Sequence, residues 1–245
     1  VVVIGGGCYG SFYAGQLAQA RLRGRIEFRS VLVVDRDPQC QAVRESRIGV
    51  GFQSVVSEWG SFLDRFLDHP APAPDLPGDA IVPSPLMPHL LAEWLERLAG
   101  RIAPSRLVTR TVAALPFGTP YDVLAPDGTR YVSFADWLCP THCIEPHVCP
   151  VIRAPRTWEI REALVDYTAR LDRVRPTAGP AVFLTRHRAF GVGMFDVAEV
   201  REARAALERA LTDPPMDLVV GTVSACHGAV TVLRVDRGSE APSDR

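Results

Sequence analysis

Two short segments hold most of the residues able to do chemistry. Gly5, Gly7 and Gly10 form a G-x-G-x-x-G run, with Gly6 extra and Cys8 and Tyr9 inside it. In a strand-to-helix turn such glycines have separate duties. Gly5 permits the tight turn, Gly7 lets the backbone approach a pyrophosphate, and Gly10 lets the helix pack closely on the strand. The phosphates then rest on the N–H groups of the helix start, at the positive end of its dipole. Asp35 closes the next apolar run, Val31 to Val34. An acid there accepts hydrogen bonds from both ribose hydroxyls of adenosine and repels a 2′-phosphate, which favours NAD over NADP. The adjacent Arg36 softens that preference.

The second segment reads Cys139-Pro140-Thr141-His142-Cys143-Ile144-Glu145-Pro146-His147-Val148-Cys149-Pro150. Three thiols and two imidazoles within eleven residues suit a metal, because a tight loop can aim them inwards. Soft thiolates point to an iron–sulfur cluster or Zn²⁺. The cluster is favoured because a nearby dinucleotide would give it an electron partner. Neither the paired C-x2-C zinc spacing nor the ferredoxin run is matched. Cys226 and His227 follow a strong apolar run, at a strand end where α/β proteins place their chemistry. They are candidates to complete the ligand set. The plainer reading of these cysteines is apolar packing. No residue declares itself as a general acid or base, so catalytic residues stay unassigned.

Composition narrows the field. All 27 basic residues are Arg and the net charge is -1. Without Lys there is no Schiff base, no Walker A loop and no kinase lysine. The near-neutral balance gives no reason to expect nucleic acid as a partner. No apolar run reaches the ~18 residues of a spanning helix. Six Cys without a disulfide-scaffold pattern point to a reducing compartment, hence the cytoplasm. The chain opens on Val1 with no signal-peptide pattern, read as the trimming of a few residues.

The elements that must position these groups alternate. Val1 to Ile4 reads as a buried parallel strand, residues 11–23 as a helix ended by Gly24, and Val31 to Val34 as a second strand. A weaker strand at Gln53 to Val56 precedes an amphipathic stretch from Trp59 to Leu67. A strand at Ala80 to Val82 precedes a helix from His89 to Leu98. The spacing predicts a Rossmann-like doubly wound parallel α/β sheet over 1–103. Beyond it, residues 104–237 read as an α/β portion carrying the Cys/His loop. It starts with a hairpin around Pro126-Asp127-Gly128, has helices at 157–171 and 197–211, and strands at 182–184, 217–223 and 230–235. Thr185-Arg186-His187-Arg188 reads as a surface loop, and Gly191-Val192-Gly193-Met194 as a close-approach loop or turn. Residues 238–245 read as a disordered tail.

Ile4-Gly5-Gly6-Gly7-Cys8-Tyr9-Gly10 together with Val33-Val34-Asp35-Arg36-Asp37-Pro38 resembles the NAD(P)-binding Rossmann superfamily. The D-x-D-P ending is most similar to the TrkA-N or RCK domains that regulate potassium transport. The resemblance covers about residues 1–100. It implies a parallel sheet binding NAD(H) or another adenine nucleotide, with Gly5, Gly7, Gly10 and Asp35 at the phosphate and ribose positions. The chain departs from that pattern in the long segment Gly24 to Ser30. It also has Ser57-Glu58-Trp59 where the family has Gly-Asp-Ala. The glycine run is similar to a flavoprotein opening too, which implies FAD, but those proteins usually carry Glu where Asp35 stands.

The combined expectation is an NAD(H)-binding protein with a metal or iron–sulfur centre and an oxidoreductase-like role on an unknown small molecule. The first alternative is a nucleotide-sensing regulatory module with a structural zinc site and no turnover. The second is an FAD-binding protein. A homodimer and a transporter or redox partner are the candidate assemblies.

Overall fold

A computed structural model describes residues 1–45, 51–68, 78–135 and 143–238. In chain order the elements are β1 (Val2–Ile4), α1 (Cys8–Leu22), β2 (Val31–Asp35), α2 (Gln41–Arg44), β3 (Phe52–Val56), α3 (Trp59–Leu67) and β4 (Ala80–Val82). There follow α4 (Leu90–Ile102), β5 (Arg106–Thr111), β6 (Tyr121–Leu124), β7 (Arg130–Ser133), β8 (Val148–Cys149), β9 (Ala154–Pro155) and α5 (Ile160–Asp172). The chain ends with β10 (Thr177–Leu184), β11 (Arg186–Ala189), β12 (Val192–Asp196), α6 (Val197–Thr212), β13 (Met216–Val223) and β14 (His227–Arg237). Among the described residues no helix is long and apolar enough to cross a membrane.

The fold is mixed α/β, with parallel pairing in both large sheets. Two compact units form. One gathers Val1–Pro88, Pro140–Cys149 and Thr185–Ala198; the other gathers His89–Cys139, Pro150–Leu184 and Glu199–Arg245. Helix α4 groups with β5, on which it packs, so position 103 falls inside the second unit.

The first unit holds a sheet of order β11-β12-β4-β1-β2-β3. β1 runs parallel to β2 on one side and β4 on the other, and β3 runs parallel to β2. Strands covered on both faces must be apolar throughout, and Val2, Val3 and Ile4 are all buried. Helix α1 lays Gly10, Ala14 and Leu17 inwards at helical spacing, and Ala14 and Leu17 join Val3, Val31, Val33 and Val82 in one core. It stops where the sequence says it should. Gly24 adopts φ +59°, Gly24 N donates to Arg21 O at 3.0 Å, and Arg25 N donates to Ala20 O at 2.8 Å. This paired closure satisfies the last helical carbonyls.

An antiparallel hairpin, β11 and β12, extends the sheet beyond β4. The sequence hid it because Gly191 and Gly193 signal a turn. Gly193 instead lies within β12, where a Cβ would stand 2.5 Å from Thr185 Cγ2, so any larger residue must displace that side chain. His187 is likewise in a strand, with Nδ1 3.0 Å from Gly191 O.

The second unit is built on β14. Along one side β14 pairs with β13; along the other it pairs with β7 and then β5. The full order is β10-β13-β14-β7-β6, with β10 parallel to β13. The expected hairpin is present, with Gly128 at φ +85° and its N–H on Ala125 O. Strand β5 was not legible, because Arg106–Thr111 mixes charge with apolar residues on a half-exposed strand. Ile160, Leu164, Tyr167 and Leu171 of α5 are buried against Val219, Val223, Val230 and Val232. Each such burial contributes about 2 kcal/mol before the entropy of ordering. Gly238 N still donates to Ser105 O at 3.1 Å, and the rest of the expected tail lies outside the described residues.

His89, just ahead of α4, is 8% exposed, and its Nε2 has no hydrogen-bond partner. Burial pushes its pKa below the usual value; Asp127 and Glu96 pull it up, and Arg110 pushes it down. The folded protein therefore keeps His89 neutral at a pH where the unfolded chain, near 6.5, takes up a proton. Urea unfolding followed from pH 7.5 to pH 5 should lose stability as pH falls below about 6.5, and His89→Phe should flatten that slope. An unchanged slope in the variant would show that His89 titrates alike in both states.

Candidate functional site

The chain runs from β1 outwards through β2 to β3, then returns to place β4 on the other side of β1. The strand order thus reverses at the carboxyl ends of β1 and β4, the place where open α/β sheets leave a crevice. The glycine turn sits there. Gly5 takes φ +88°, and its N–H donates to Val34 O at 2.8 Å, which ties the turn to β2. A Cβ on Gly10 would stand 1.7 Å from Gly5 O, so only glycine lets α1 start this close to the end of β1. Gly6 is confined between Cys40 and Asp35, with a Cβ position 2.3 Å from Cys40 Sγ.

Gly7 is different. It is exposed, and a Cβ there would meet nothing within 4 Å. As the N-cap of the 15-residue α1 it supplies no side-chain cap, and the first turn carries no acid. Ser11 N closes the first helical bond on Gly7 O at 2.8 Å. The N–H groups ahead of it lie at a helix start where an anion is favoured. Cys8 is exposed and Tyr9 half-buried, its ring 6.4 Å from that of Tyr13.

Asp35 lies against the same turn. Its Oδ2 accepts from Gly6 N at 2.7 Å and its Oδ1 from Asp37 N at 2.9 Å. Each carboxylate oxygen keeps a further lone pair, so the group is oriented without being exhausted. Arg36 beside it is exposed. Two neighbours were missed by sequence reasoning. Cys40 is buried under Gly6, and Trp59, at the head of α3, brings Cζ2 within 3.4 Å of the Gly5 Cβ position. The amphipathic pattern from Trp59 to Leu67 was visible, but not the reach of its indole.

Five of the seven expected metal ligands fall within the described residues. Cys143 is half-buried and its Sγ accepts from Glu145 N at 3.4 Å; His147 is exposed; Cys149 is buried. These three belong to the first unit. In the second unit Cys226 is buried, with Arg156 Nη1 3.4 Å from its Sγ, and His227 Nδ1 lies 3.3 Å from Ser224 Oγ. Cys139 and His142 lie outside the described residues. Among the described residues no three His, Cys, Asp or Glu side chains gather as a metal site.

Residues 91–236 match the family model AF_1314_C, described as the C-terminal domain of an uncharacterized protein. The chain belongs to this family. The matched span contains neither the glycine turn nor Asp35. A relative from Archaeoglobus fulgidus, described as an uncharacterized protein, is 26% identical over 236 residues, covering 95% of this chain and 98% of its own. No solved structure matches.

The geometry separates two glycines that look alike in sequence. Gly10→Ala forces a methyl onto Gly5 O and should cost roughly 2–4 kcal/mol in urea unfolding. Gly7→Ala, with open space and φ -73°, should leave stability within about 0.5 kcal/mol. Equal losses in both variants would contradict the close seat of α1.

Proposed function

We propose that the first unit is a Rossmann-like dinucleotide-binding unit and that the chain binds NAD(H) at the Gly5–Gly10 turn. One observation carries this reading. At the switch point of the sheet, a helix with no side-chain cap and no acid in its own first turn opens on an unobstructed glycine, with the Asp35 carboxylate on Gly6 N and the Glu45 carboxylate on Ser11 Oγ beside it. The residues fit the group. Backbone N–H groups at Cys8, Tyr9 and Gly10 hold the pyrophosphate, which needs no Lys. Asp35, its direction fixed by Gly6 N and Asp37 N, accepts from the adenosine ribose and disfavours a 2′-phosphate. The TrkA-N-like resemblance agrees with this placement, and FAD is disfavoured by Asp35.

When bound, the nicotinamide would supply hydride transfer, which makes a redox role on a small molecule the working function. The described part of the Cys/His segment does not gather three donors, so no step runs through iron–sulfur or zinc. Element analysis of freshly purified protein decides whether Cys139 and His142 complete a centre. Near-stoichiometric iron with labile sulfide, or zinc, supports one; stable metal-free protein removes it.

Calorimetric titration tests the binding. Wild-type protein should take up NADH more tightly than NADPH. Gly7→Ala should bind at least tenfold more weakly while keeping its unfolding midpoint, because its methyl occupies the phosphate approach. NADH uptake unaffected by Gly7→Ala would move the site elsewhere.

A further inference from the structure

The order of the strands assigns more of the site than the glycine fingerprint does. The turn that receives the pyrophosphate comes after β1, and Asp35, which receives the adenosine ribose, ends β2. Continuing in the same direction across the sheet, the next strand end is that of β3. All three strands are parallel, so their carboxyl ends share one edge of the sheet. The segment leaving β3 is therefore the next one along that edge beyond Asp35.

That segment is Ser57-Glu58-Trp59. Ser57 N donates to Asp35 O at 2.9 Å, so the junction is fastened to the residue that receives the ribose. Arg65 Nη2 donates to Ser57 Oγ at 3.0 Å and braces the junction from α3. Trp59 is half-buried, and its indole reaches back from the end of β3 to the Gly5 turn. Cζ2 and Cη2 lie 3.4 and 4.0 Å from the Gly5 Cβ position. In the strand order β2 lies between β3 and β1, so the indole spans that strand to reach the turn. A large flat apolar surface is thus set against the Gly5 turn.

Resting on the reading above, we propose that Trp59 forms the adenine wall of the site and stacks on the base of the bound nucleotide. Base–aromatic stacking is sequence-tolerant and strong enough to matter, which suits a site whose other contacts are backbone N–H groups and one carboxylate. Trp59 is a binding residue here, with no part in proton or hydride movement.

The test uses the full chain labelled with 5-fluorotryptophan, with the Trp59 fluorine line assigned by its loss in Trp59→Phe. ADP-ribose should shift the Trp59 line further than nicotinamide mononucleotide, which lacks adenine and brings only its phosphate to the turn. In calorimetry Trp59→Ala should weaken ADP-ribose about tenfold, while Trp59→Phe restores most of the affinity. A role confined to packing would lower the unfolding midpoint in both variants without this split. If ADP-ribose binds wild-type protein but leaves the Trp59 line unmoved, the adenine wall is overturned and the dinucleotide reading stands. If neither NADH nor ADP-ribose binds wild-type protein, both readings fall together.

Discussion

The approach of α1 to the end of β1 is the constraint on which the first unit depends. At Gly10 the helix backbone comes so close to the Gly5 carbonyl that no side chain fits between them. That contact fixes where the helix starts, and with it the direction in which its first N–H groups point. It also fixes Gly7 at the exposed corner. The backbone bond from Gly5 N to Val34 O and the bond that Gly6 N donates to the Asp35 carboxylate then set β2 against the turn. The exposed helix start and the placement of the strand-end acid come from the same few contacts.

The second unit rests on a different device. One long strand, β14, has partners along both sides, β13 on one and β7 with β5 on the other. Its charges are handled by pairing. Asp217 is buried and takes Nε and Nη2 of Arg234, both at 3.0 Å, and Nε of Arg175 at 3.1 Å. A single guanidinium-rich chain chemistry, with no ammonium side chains, suits such forked contacts.

Local signals were the legible part. The Gly24 helix stop, the Pro126-Asp127-Gly128 hairpin, the three apolar parallel strands and helices α1, α4, α5 and α6 can each be read from neighbouring residues alone. The hidden elements depend on distant partners. Strand β5 gains its identity from β14, and β12 from β4, across more than a hundred residues. At the candidate site the strand-to-helix turn at Gly5–Gly10 and the place of Asp35 at the end of β2 were readable because both follow from neighbouring residues. Trp59 and Cys40 were not, because a side chain's reach is set by packing rather than by spacing. The Cys/His segment was conspicuous as a string. Two of its donors, Cys139 and His142, lie outside the described residues.

The hairpin of β11 and β12 has a consequence for the order of synthesis. Strand β4 is finished at Val82, but the strand that covers its open edge runs from Val192 to Asp196. At ribosomal rates of about 5–20 residues per second, that edge waits roughly 5–20 s for its neighbour. During the wait its backbone groups are an open template for unwanted pairing. The two halves of the chain are therefore poor candidates for exchange by simple gene fusion. A donor of the N-terminal half would arrive without its last two strands, and a recipient of the C-terminal half would carry a hairpin with no sheet to join.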